Sequence, residues 1–217
     1  MKTFMRGFAK ASLLVLLFSF TGCGSYNQLV TLEQTVNKKW ADVQSVYQRR
    51  ADLIPNLVST VSGAANFEKS TLTEVTNARA SVGQVKLDPS KAPTDAAELE
   101  RFQQAQGQLS TALSRLRVVT ENYPQLRATE AFQNLQEQLE GTENRISVER
   151  NNFNTAVQEY NTALARFPTN MLNKMFGFQP RPFFTAASGA EKAPEVKFDS
   201  FKPPAPPALP PPPTATP

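Results

Sequence analysis

Apolar side chains recur at intervals of three and four through most of the chain, the spacing that gathers them on one face of an α-helix. Leu29, Leu32, Val36, Trp40, Val43 and Tyr47 form the first series and predict an amphipathic helix over about 26–50. Asp52 and Pro55 interrupt it. Asp52 is placed to cap a second helix with Pro55 in its first turn, where a missing N–H costs little; the alternative is one helix kinked at the proline. Ile54, Val58, Val61, Ala65, Leu72, Val75 and Val82 carry the second series to Gly83. Turn formers with two prolines then occupy 88–95, and Thr94 or Asp95 is suited to cap a third helix. That helix carries Leu99, Phe102, Leu109, Leu113, Leu116 and Val119, and Tyr123-Pro124 breaks it. The fourth series is the longest: Phe132, Leu135, Leu139, Thr142, Ile146, Glu149, Phe153, Val157, Tyr160, Leu164 and Phe167. It predicts about 40 residues, roughly 60 Å of helix. Stripes of this length must pack on one another, and short connections favour antiparallel neighbours. The expected fold is therefore all-α, an elongated antiparallel bundle of about four long helices over 26–167.

The ends of the chain differ from this body. Lys2, Arg6 and Lys10 precede the apolar run Ala11–Phe20, which leads into Thr21-Gly22-Cys23-Gly24, the layout of an export signal. Ten apolar residues give about 15 Å of helix, half of a hydrocarbon core of roughly 30 Å. No charge separates Lys10 from Glu33, however, so a single spanning helix is the alternative. The lone cysteine, at the end of the run after a small residue, resembles the lipobox of bacterial lipoproteins. Residues 1–22 are then a lipoprotein-type signal peptide, Cys23 the lipidated first mature residue, and 23–25 a linker. Two acyl signals are what make such an anchor stable. Gly24 after the cysteine resembles the default routing to the periplasmic face of the outer membrane in a Gram-negative cell; in other cells the anchor lies in the cell membrane.

From Pro168 onward aromatic residues crowd among glycine and proline. Within 168–202, a short helix at 169–176 is expected, its aromatics folded back over the bundle end. The competing reading sends Phe176, Phe178, Phe183 and Phe184 into a bilayer or a partner's groove. From Pro203 nine of fifteen residues are proline, which enforces an extended, coreless tail over 203–217 of about 45 Å.

Composition narrows the chemistry. The 217 residues include one cysteine and no histidine, which excludes a His-Asp-Ser relay, imidazole metal ligands, an internal disulfide and a thiolate zinc site. The net charge of +4 falls to 20 basic against 19 acidic side chains once Lys2, Arg6 and Lys10 are set aside, so no basic face for nucleic acid is expected. Arg49, Arg50 and Asp52 at the first helix junction, with Glu149 on the fourth seam, suit an interhelical polar network that fixes register. A catalytic use would need paired carboxylates or a phosphate cradle, and no glycine-rich loop or nucleophile accompanies them.

Several segments together resemble the LemA family: Tyr26-Asn27-Gln28-Leu29-Val30, Trp40, Gln48 to Val58, Ala78-Arg79-Ala80, Glu121 to Leu126, Glu143-Asn144-Arg145-Ile146, Arg166-Phe167-Pro168, Phe176-Gly177-Phe178 and Ala193 to Val196. The resemblance implies an exported, membrane-anchored, antiparallel helical bundle in a family without an established enzymatic activity. Members usually carry an N-terminal transmembrane helix where this chain has Cys23, and a histidine where it has Phe67. The expected function is a non-enzymatic envelope lipoprotein, a scaffold or adaptor for an unidentified envelope protein. It has no cofactor, metal or small-molecule substrate. An envelope hydrolase or wall-modifying enzyme using bundle carboxylates is the alternative from another class.

Overall fold

The computed structural model describes the backbone of residues 2–64, 67–167 and 169–185, with side chains from Gly24 onward except those of 172–175. Residues 1–184 form one compact unit. The second, from Thr185, lies outside the described residues beyond its first member, and so does the expected proline tail.

The chain is all-α, as its periodicity requires. Helix α1 runs from Lys2 to Ser62 without a break and contains Pro55. The boundary expected at Asp52 is therefore displaced to Gly63, and the structure takes the one-helix alternative. Proline at 55 supplies no N–H to the carbonyl four residues earlier, that of Ala51. Arg79, from the next helix, donates its Nε–H to that carbonyl at 2.9 Å. Asp52 is not a cap; its carboxylate accepts from Gln48 Nε2 at 2.8 Å. Replacing Arg79 with alanine is expected to cost about 1 kcal/mol, the usual net worth of such a bond. In a Pro55→Ala background the cost should shrink, because residue 55 then has an N–H for Ala51. A double-mutant cycle by urea unfolding checks this coupling.

Helix α2 (Lys69–Gln84) is only 16 residues long, and α3 (Ala96–Thr120) begins at Asp95, whose carboxylate accepts from the Ala97 N–H at 2.8 Å. A single turn, α4 (Pro124–Arg127), leads into α5 (Glu130–Ala165) of 36 residues, and α6 (Thr169–Phe176) follows. Phe167, expected on the seam of α5, lies beyond its end and is exposed.

Side-chain pairings give the directions. Arg50 meets Glu143 and Trp40 meets Phe153, so α1 and α5 are antiparallel. Glu74 meets Arg115 while Gly83 and Val85 share a cleft with Phe102 and Gln106, so α2 and α3 are antiparallel; α1 and α3 run the same way, as Trp40–Phe102 and Arg50–Ser110 require. The buried apolar residues form two clusters. The first holds Leu29, Val36, Trp40, Phe102, Phe153, Val157, Tyr160 and Phe184. The second holds Ile54, Leu57, Val61, Val75, Leu109, Leu116 and Phe132. Helix α2 contributes only to the second. Along the first, extended stretches take its place, through Val85, Leu87 and Ala92 before α3 and through Phe178 and Phe184 after α6. Phe67, where the resemblance implies histidine, is buried against the Tyr123 ring at 4.9 Å.

Candidate functional site

Between the two apolar clusters lies a polar layer centred on Arg50, which α1 buries to 2 % exposure. Its Nη1 donates to Glu143 Oε2 of α5 at 2.6 Å and to Ser110 Oγ of α3 at 3.1 Å. Its Nη2 donates to the Gln106 carbonyl at 3.0 Å and to Gln106 Oε1 at 2.9 Å. Three helices thus converge on one guanidinium, and four bonds offset the desolvation of its charge. The Tyr47 ring lies 5.6 Å from its Cζ. Burial, the largest influence, pushes the Tyr47 hydroxyl above the usual phenol range, against the pull of Arg150 and Arg50.

Of the four residues proposed for a polar network, the structure brings only Arg50 into this layer. Arg49 is exposed, since one residue along a helix turns the side chain about 100° away. Asp52 is also exposed, and Glu149 accepts from Asn152 Nδ2 at 3.0 Å. The carboxylate that pairs with Arg50 is Glu143. Gln106 and Ser110 escaped the sequence reading altogether. Their one trace there is the gap between Phe102 and Leu109 in the third stripe, where Gln106 takes a seam position.

A second buried arginine belongs to the extended segment after α6. Gly177, with φ at +76°, turns the chain in the left-handed region that glycine enters without strain. Asn161 of α5 then accepts from the Arg181 N–H and donates to the Arg181 carbonyl, each at 2.9 Å. Two helical turns earlier, Asn154 does the same for Phe184, at 2.9 and 3.0 Å. Asparagine carries both a donor and an acceptor on one planar amide, so two residues seven apart on α5 grip the backbone at every third residue of the segment. Between the two grips Arg181 donates to the Ala92 carbonyl and to Glu33 Oε1, both at 2.6 Å. Phe184 drives its ring against Trp40 and Phe153, with centroids at 6.1 and 5.3 Å, beneath the Arg150 guanidinium. Removing either asparagine side chain is expected to cost about 1–2 kcal/mol. In Asn154→Ala, hydrogen exchange should accelerate at the Phe184 amide and leave the α3 amides unchanged.

The four aromatic residues proposed for membrane or partner contact separate accordingly. Phe184 is 5 % exposed and belongs to the core, because the Asn154 grip turns its ring inward. Phe178 is half-buried, while Phe176 and Phe183 are exposed. Cys23 falls within α1, and its side chain lies outside the described ones.

Burial, then the Glu33 charge, pushes the Tyr160 hydroxyl upward, with Arg181 opposing. Tyr47 and Tyr160 both stay protonated in the folded chain after the unfolded chain, with a phenol near 10.0, has begun to ionise. Above that pH the unfolded state binds fewer protons, so stability falls with rising pH. Tyr160→Phe should flatten the decline above about pH 10, read from unfolding midpoints at successively higher pH.

Among the described residues no group of three or more Cys, Asp or Glu side chains is placed to hold a metal ion. A cleft of about 260 Å³ adjoins the Arg50 layer, and of the two carboxylates that line it Glu143 is bound to Arg50 and Glu140 pairs with Arg117 at 3.6 Å.

A model described as LemA family matches residues 39–198. Magnetosome protein MamQ 1 of Paramagnetospirillum magneticum is 25 % identical over 189 residues, which cover 78 % of this chain and 68 % of the relative. Magnetosome protein MamQ of Magnetospirillum gryphiswaldense is 26 % identical over 174 residues, 73 % of this chain and 64 % of its own length. Protein LemA of Metamycoplasma hominis is 23 % identical over 154 residues, 71 % and 66 % respectively.

Proposed function

We propose a function from a settled premise: the chain belongs to the LemA family. Its job is structural. It is a membrane-associated helical protein of the bacterial envelope, tethered at the start of α1 through acyl groups on Cys23, that works as a scaffold or adaptor by presenting its surface to a protein partner. The observation that carries this reading is the use of the buried charges. Arg50 and Arg181 each bind acceptors from neighbouring elements of the same chain, and this leaves the interior to packing. A retaining or inverting hydrolase would need two carboxylates facing one another across several ångströms of water. Glu143 is held by Arg50 and Glu149 by Asn152 instead.

The tether is supported by the basic residues, apolar run and cysteine in succession, and by the relatives, three of which are named for magnetosomes. Among the described residues no helix is long and apolar enough to cross a membrane. Replacing Cys23 with serine tests the anchor. The variant should leave the membrane fraction; retention in it would favour a spanning segment. Incubating the full-length protein with isolated cell wall tests the rest. Release of soluble fragments that Glu143→Gln or Glu149→Gln abolishes would replace the scaffold with an enzyme.

A further inference from the structure

Most of the large apolar side chains left exposed gather at one end of the folded unit. Tyr26, Phe167, Met171 and Phe176 are there; among the described residues only Val118, Val148 and Phe183 lie elsewhere, Phe183 next to Phe184 at the level of Trp40 and Asn154. The gathering is built by contacts: the Tyr26 ring packs on Phe176 at 5.0 Å and on Phe178 at 5.8 Å, which fixes α6 and its exit beside the start of the described side chains of α1. Cys23, the proposed site of acylation, lies three residues before Tyr26 on α1. Charge follows the same geography. Residues 23–32 carry no charge; residues 160–190 contain Arg166, Lys174 and Arg181 and no acidic side chain. Glu33, the next acid along α1, is bound to Arg181.

We propose that α6 and the turn after it form a second membrane contact, in which Tyr26, Phe167, Met171 and Phe176 enter the headgroup region of an anionic lipid surface. Aromatic side chains favour that region, and basic residues beside them are drawn to acidic headgroups. The inference rests on the membrane tether proposed above and adds to it. A tether alone leaves the bundle free to swing, whereas a second contact sets its orientation to the surface.

The test uses the full-length lipidated protein in vesicles of phosphatidylethanolamine and phosphatidylglycerol that contain a photoactivatable phospholipid, followed by mapping of the labelled peptides. Labelling is expected at Tyr26, Met171 and Phe176 as well as at the acylated terminus, with none on α4 at the opposite end. It should drop several-fold in vesicles without phosphatidylglycerol, and also in a Phe167→Glu, Met171→Glu variant. Both positions are exposed, and an unchanged far-ultraviolet circular dichroism spectrum will verify that the variant folds. Vesicle-bound protein labelled only in residues 23–25 would overturn the second contact and leave the tether standing. Protein that fails to associate with vesicles would overturn both. Crosslinking of these residues to a second copy in place of lipid would make the patch a dimer contact and sink the proposal.

Discussion

Replacing Trp40 with alanine is expected to destabilise the folded chain by about 3–5 kcal/mol, the range for deleting a large aromatic from a packed core. For a chain of this size that lowers Tm by roughly 6–20 °C. Trp40 is fully buried and touches rings from three other parts of the chain: Phe102 of α3 and Phe153 of α5, both at 5.7 Å, and Phe184 of the clamped segment at 6.1 Å. Its indole N–H also donates to the Asp88 carbonyl at 2.9 Å, which holds the loop before α3. One side chain therefore fastens four pieces of backbone. Trp40→Phe should fall between wild type and Trp40→Ala, since it keeps most of the ring contact but leaves the Asp88 carbonyl without its donor. Thermal unfolding of the three proteins under one condition gives the order.

Arg50 gives the second large effect, with a different signature. Arg50→Ala removes four hydrogen bonds from the polar layer and leaves Gln106 and Ser110 facing a void, an expected loss of about 3–5 kcal/mol. Glu143→Gln should cost less, because Glu143 is mostly exposed on its outer side and the amide oxygen still accepts from Nη1. The combined change Arg50→Met with Gln106→Leu fills the layer with apolar atoms and is expected to be neutral or stabilising, by up to about 4 kcal/mol. Such an outcome would show that the layer sets helix register and contributes little net stability. Urea midpoints for the single and double variants separate the two contributions.

The helices were legible in the sequence wherever one stripe faced one core. Leu29 to Tyr47, Leu99 to Val119 and Phe132 to Leu164 all read correctly because three-four spacing depends only on a helix having an inner face. The break at Asp52 read wrongly because the acceptor of Arg79 is a backbone carbonyl, and no side-chain pattern announces that a distant residue will satisfy it. The same reason hid the clamped segment. The sequence predicts aromatics folded back over the bundle, but not that Asn154 and Asn161 grip the backbone of Arg181 and Phe184, since asparagine on a helix surface ordinarily carries no such message. Arg50 was legible as a network residue, although the helix junction that suggested it does not exist in the structure. Its partner was not, since Glu143 and Glu149 lie on one helix and only the axial offset between α1 and α5 decides between them.

That this protein is a lipid-tethered bundle is tested most directly by the intact mass of its amino-terminal fragment, isolated from membranes of the native host. A fragment beginning at Cys23, with a mass raised by a diacylglyceryl group and an amide-linked acyl chain, is the expected result. A fragment that begins at Met1, with an unmodified Cys23, would contradict it.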